Sequence, residues 1–157
     1  SALHVEPLFR EPLHVVCPPD HPLAARTTVR CADLAGTGFL SLDPRHHASR
    51  QLREACELFG ASVLEDYQGT SLDALRQMCG SGLGLAIIPE LYLRSEVGGE
   101  DMVTRLTLAD WHATRSIAAV WRHGAAYAES YHLIAGAIAA EAHRILSRAV
   151  STHSGSP

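Results

Sequence analysis

The 157 residues carry 17 acidic and 13 basic side chains, a formal net charge of -4, and 46% hydrophobic residues. That apolar share suits one domain-sized core and excludes a disordered chain. The acidic balance excludes a fragment that grips nucleic acid by itself, since such domains carry a basic stripe.

Taken in chain order, Leu8-Phe9 and Leu13 to Cys17 read as an extended segment interrupted at Pro12 and stopped by Pro18-Pro19-Asp20-His21-Pro22. Cys31 to Gly36 predicts one helical turn closed by glycine, Gly38 to Leu42 a strand, and Asp43-Pro44 a turn out of it. From His47 to Phe59, the residues Leu52, Ala55, Cys56 and Phe59 share one helical face, and Gly60 supplies the stop. Val63 to Tyr67 is the next strand.

The stretch from Thr70 to Pro89 is the most informative. Thr70 with Asp73 fits the Ser/Thr-x-x-Asp/Glu start signal, in which a hydroxyl satisfies orphan N–H groups and the acid suits the positive helix pole. Leu72, Leu75, Met78 and Cys79 recur at helical spacing, and Gly80 or Gly82 is expected to take the positive φ that ends the helix. Leu85 to Ile88 is a continuous apolar run, as in strands covered on both faces. After a Gly98-Gly99 loop, Met102 to Leu108 predicts a short strand and Ser116 to Trp121 another. Tyr127 to about Ala149 is the longest helix, with Tyr127, Tyr131, Ile134, Ile138, Ala142 and Ile145 on one face; Ser151 to Pro157 is a polar, disordered tail. The alternation predicts an α/β fold, a mostly parallel sheet flanked by helices. The long Ala-rich helix asks for more partner surface than its neighbours offer.

Little catalytic chemistry is legible. Gly80-Ser81-Gly82-Leu83-Gly84 follows a helix and opens a strand, the reverse of a nucleotide-binding glycine loop, and there is no Gly-x-Ser-x-Gly elbow or His-Glu-x-x-His pattern. The chain is therefore expected not to be an enzyme and to need no cofactor. His14, Cys17 and His21 are close in sequence, but His14 and Cys17 point to opposite faces of a strand, and the adjacent His46-His47 cannot share one ion from a regular helix. No metal site is expected. Cys17, Cys31, Cys56 and Cys79 lack CxxC spacing and read as buried thiols of a reducing compartment. No apolar run approaches the roughly 18 residues of a membrane span, and Ser1-Ala2-Leu3-His4-Val5-Glu6 lacks the stretches of a signal peptide, so a cytoplasmic location is expected.

The ordered set His21-Pro22-Leu23-Ala24, Asp33-Leu34-Ala35-Gly36, Thr70-Ser71-Leu72, Gly82-Leu83-Gly84 and Pro89 resembles the effector-binding region of LysR-type transcriptional regulators. Glu6-Pro7-Leu8-Phe9 with Glu11-Pro12-Leu13 is similar to the crossover strand of that family. Thr70 to Met78 and Ala119-Val120-Trp121-Arg122 are most similar to the OxyR-type peroxide-responsive branch. The resemblance implies a periplasmic-binding-protein-like (type 2) fold: residues 1–12 as crossover strand, 13–115 as effector subdomain II, and 116–150 as the returning strand and long helix of subdomain I, followed by the tail 151–157. It also implies a homodimer or homotetramer. DNA contact would be made only through a winged helix-turn-helix outside this chain.

Within that branch, a His-Cys pair opens the helix after the first strand of this subdomain, and the cysteine reacts with peroxide. Here His46 matches the histidine and His47 stands for the cysteine, while Cys56 matches its disulfide partner and Arg122 an arginine of the pocket. Arg50 and Asp66 stand where the branch has an acid and a histidine. Imidazole forms neither a sulfenic acid nor a disulfide. The resemblance therefore points to a non-covalent pocket lined by His46, His47, Asp66, Thr70, Ser71 and Arg122, taking a small anionic effector at two helix N-termini. Peroxide sensing through the remaining Cys56 or Cys79 is the first alternative, and a stand-alone solute-binding protein of a transporter the second.

Overall fold

The computed structural model describes residues 2–95 and 102–148. The expected Gly98-Gly99 loop and the tail 151–157 lie outside the described residues. The chain divides into two compact units, Pro12–Ala113 and the pair of segments Ser1–Glu11 with Thr114–Pro157.

The first strand, β1 (Leu3–Cys17), runs straight through Pro12, where the sequence leads one to expect an interruption. Its pairing with the later strand β4 begins at Leu13, so the missing N–H of Pro12 removes no bond from that ladder. After two short 3-10 turns (Pro22–Ala25 and Cys31–Leu34) come β2 (Gly38–Leu42), α1 (His47–Phe59), β3 (Ser62–Gly69), α2 (Leu72–Gly80) and β4 (Ala86–Pro89). Then follow a one-turn helix α3 (Glu90–Arg94), which the sequence reading did not anticipate, β5 (Thr104–Arg105), β6 (Ala113–Arg122) and α4 (Ala128–Leu146).

Within Pro12–Ala113, β2 pairs with β3 in parallel. A parallel bridge from Phe39 to Leu85 joins β2 to the approach of β4, held by Leu40 N–H to the Leu85 carbonyl at 2.8 Å and Leu85 N–H to the Gly38 carbonyl at 2.9 Å. β1 pairs antiparallel with both β4 and β5. Hence β3, β2, β4 and β5 point one way and β1 alone runs against them. The sheet is mostly parallel in direction, as expected, although both ladders that β1 makes here are antiparallel.

Strand alternation then builds two cores. Val15, Cys17 and Phe39 face one side and meet Leu52, Ala55, Cys56 and Phe59 of α1. Val16 and Leu40 face the other and meet Leu75 and Cys79 of α2, with Ala86 and Ile88 of β4. A buried sheet between two helices is the three-layer α/β arrangement. Gly60, at φ 68°, ends α1 in the left-handed region, and Gly82, at φ 85°, turns the chain after α2. Gly84 serves a different need: a Cβ there would lie 2.7 Å from Leu64 Cδ1 and 3.0 Å from the Gly38 carbonyl, so a side chain would fit only if Leu64 and the Gly38 backbone gave way.

In the other unit, β6 pairs with β1, and α4 presents Ala135 and Ala142 as its buried residues. Most of the apolar face read from the sequence stays in solvent, with Tyr127 69%, Ile134 57% and Ile138 46% exposed. Among the described residues of this unit Glu11 is the buried charge: fully enclosed, it takes a 3.0 Å hydrogen bond from Arg115 Nε.

Candidate functional site

Parallel strands deliver their following helices to the same edge of a sheet, and here the register states where. Leu42, the last residue of β2, pairs with Gly69, the last of β3. Four residues beyond Leu42 the chain reaches the N-cap of α1, and two residues beyond Gly69 it reaches that of α2. Two positive helix poles therefore rise from adjacent strand ends, the arrangement in which open α/β sheets hold ligands.

The two tips are finished differently. At α2 the cap is Ser71, whose hydroxyl accepts from Ala74 N–H at 3.1 Å. This corrects the Thr70–Asp73 capping signal: Thr70 stands one residue outside the helix, exposed, and Asp73 lies in its first turn. The Asp73 carboxylate instead accepts from Arg76 (2.9 Å), Gln77 (2.7 Å) and Tyr92 (2.9 Å). The Arg76 hydrogen bond, then that of Tyr92, holds its pKa below the ordinary carboxylate value. At α1 the N-cap is His46, extended at φ -77°, and its side chain makes no capping bond. His46 and His47 are both exposed. Buried Ser49 ties this tip to the strand end, donating to the carbonyls of Leu42 or Asp43 at 3.1 and 2.9 Å. Asp43, in the turn between, is gripped by Arg45 through Nε at 3.0 Å and Nη2 at 2.6 Å, which holds its carboxyl far below the usual range. Its charge is thus matched before any ligand arrives.

Asp66 is exposed on β3, and Arg50 is exposed on α1. Arg122 ends β6 in the other compact unit, where it borders a cleft of about 440 Å³ with Trp121, Tyr131, Ile134 and Ile138. The structure thus brings His46, His47, Thr70 and Ser71 to one sheet edge within one unit, with Asp66 on the strand leading to it.

The thiols fare otherwise. Cys17, Cys31, Cys56 and Cys79 are all buried and unbridged. Burial pushes Cys56 up to about 11, and burial with the neighbouring Cys17 pushes Cys79 up to about 12. Groups held as thiols at neutral pH are poor nucleophiles.

Two charged sets escaped the sequence reading. Glu90, buried at the start of α3, takes hydrogen bonds from Arg94 Nε (2.7 Å) and Arg105 (3.2 Å) and contacts His14 Nε2 closely. In the other unit, His4 and Glu6 of β1 meet His132 of α4. The alternation His4-x-Glu6 was visible in the sequence; the partner 126 positions on in α4 was not.

Four strands running one way, one reversed strand and helices on both sheet faces, with helix tips gathered at the strand ends, define an α/β effector-domain architecture. The family model of the LysR substrate binding domain matches residues 1–141, and the chain belongs to that family. It is 35% identical over 134 residues to the DNA-binding transcriptional dual regulator OxyR of Escherichia coli K12, covering 85% of this chain and 44% of that protein. It is 30% identical over 140 residues to the hydrogen peroxide-inducible genes activator of Haemophilus influenzae, covering 89% and 46%. The crystal structure of the oxidised form of OxyR superposes with a TM-score of 0.72 at 34% identity, covering 91% of this chain and 67% of that one. The chain is an OxyR-like effector-binding regulatory domain, and it spans under half the length of these curated relatives.

Proposed function

We propose that this chain is the sensing and self-associating part of a cytoplasmic, LysR-type transcriptional regulator, and that it binds a small anion non-covalently at the tips of α1 and α2. DNA would be read by a winged helix-turn-helix outside this chain, and residues 13–115 would be effector subdomain II. One observation carries the pocket: the Leu42–Gly69 register, which sets two helix N-termini on one sheet edge, the α1 tip without a side-chain cap. Uncapped first-turn N–H groups favour a carboxylate or phosphate. His46, His47, Thr70 and Ser71 supply the polar lining; Asp66 and Arg122 join the list on the strength of the resemblance.

Thermal-shift titration of the intact protein with small carboxylates and inorganic phosphate tests this. A concentration-dependent rise in Tm that Thr70→Val and Arg122→Ala each diminish supports it. Equal shifts in the wild type and both variants overturn the pocket assignment. Counting thiols during peroxide titration tests the redox alternative, which requires at least one thiol lost at sub-millimolar oxidant. Self-association is supported by the uncovered apolar face of α4, where Tyr127 is 69% and Ile134 57% exposed. A monomeric mass at high concentration would count against it. A reading frame with a secretion signal upstream would favour a transporter's binding protein.

A further inference from the structure

Residues two apart on a strand face the same way, so His4 and Glu6 of β1 present an imidazole and a carboxylate side by side toward α4. His132, in the second turn of α4, completes a triangle: its Nδ1 lies 2.7 Å from Glu6 Oε2, and His4 Nε2 lies 3.7 Å from the same oxygen. The ligand atoms of all three lie within 4.8 Å of one another. Tetrahedral zinc, with bonds of about 2.0–2.2 Å, holds its ligand atoms about 3.4 Å apart, so small side-chain rotations close the triangle on an ion.

Glu6 Oε2 is buried, yet no donor is aligned on it, although His132 Nδ1 is near. A simple ion pair between Glu6 and His132 would align that N–H. A buried carboxylate oxygen within 2.7 and 3.7 Å of two imidazole nitrogens, with no donor aligned on it, is placed to share a cation with them. Trp121 closes the site from the side, its ring 4.5 Å from that of His4 and 4.9 Å from that of His132, which lowers the local polarity and strengthens binding. Two imidazoles, one carboxylate and an open position suit a divalent transition ion such as Zn²⁺, not Ca²⁺ or Mg²⁺, which prefer six or more oxygens.

We infer that His4, Glu6 and His132 form a divalent transition-metal site, of the Zn²⁺ class, that pins α4 to β1. It involves none of the residues of the proposed effector pocket. Calorimetric titration of the chelator-treated intact protein with Zn²⁺ should find one site per chain, and Glu6→Gln and His132→Gln should each weaken it about tenfold or more. His132 is half exposed, so its variant should keep the wild-type circular dichroism spectrum. Zn²⁺ binding that is absent, or unchanged in both variants, overturns the assignment. A second readout leaves the ligands intact. With Trp111→Phe as background, one equivalent of Cu²⁺ should quench the fluorescence of Trp121, and the absence of quenching would also end the proposal.

Discussion

The two compact units solve the same problem unequally. In Pro12–Ala113 the sheet is covered on both faces, with Phe39, Phe59, Val15 and Val16 almost completely enclosed. In the unit of Ser1–Glu11 and Thr114–Pro157, a nineteen-residue helix buries two alanines and leaves Leu133, Ile134 and Ile138 largely in water. The first unit owes its order to apolar burial. The second leans on polar links, the bond from Arg115 to the enclosed Glu11 and the His4–Glu6–His132 group.

That contrast can be broken by mutation. Phe59→Ala should have the largest effect, about 4 kcal/mol lost in chemical denaturation, because the ring sits between Phe39 and Trp111 at 5.8 and 5.2 Å. The matching truncation on α4, Ile138→Ala, should cost under about 0.5 kcal/mol while reducing self-association in sedimentation. Arg115→Ala should come next, about 2 kcal/mol, since it removes a charged hydrogen bond to the buried Glu11 carboxylate. A loss close to zero would show that the second unit does not depend on that pair.

Acid should sharpen the difference further. Burial pushes Glu90 up, but the hydrogen bond from Arg94 and the charges of His14 and Arg105 outweigh it, and the net shift is below 4.5. A lowered carboxylate stabilises the fold above its ordinary value, and that contribution is lost as the pH falls through its folded value. His14 is likewise lowered from 6.5, chiefly by burial, so protonating it also disfavours the fold. Urea midpoints should therefore fall as the pH drops below about 6.5 and again below about 4.5, and His14→Gln should flatten the first step. The cap contributes less than the buried groups: Ser71→Ala should cost about 1 kcal/mol, and Thr70→Val close to nothing in stability.

This last pair shows how far the sequence could be read. Helical spacing, glycine stops and the apolar run at Leu85–Ile88 located α1, α2 and β4 within a residue or two, because those signals are local. Which of two adjacent hydroxyls caps α2 depends on one backbone turn, and spacing alone chose wrongly. The passage of β1 through Pro12 depends on where its partner ladder begins, which no local rule contains. The tip residues His46, His47, Thr70 and Ser71 were legible as helix starts; their meeting at one edge needed the β2–β3 register. The Glu90 and Glu6 groups are completed by His14 and His132, 76 and 126 positions away, which no local spacing announces.

The strand from Leu3 to Cys17 serves both units with no loop inside it. Deleting or inserting one codon between Leu13 and Val15, inside the ladder with β4, would invert the side chains beyond that point, sending Val15 and Cys17 toward the α2 layer and Val16 toward the α1 layer. Such a length change could be absorbed only by a bulge, so this stretch should tolerate substitutions far better than indels.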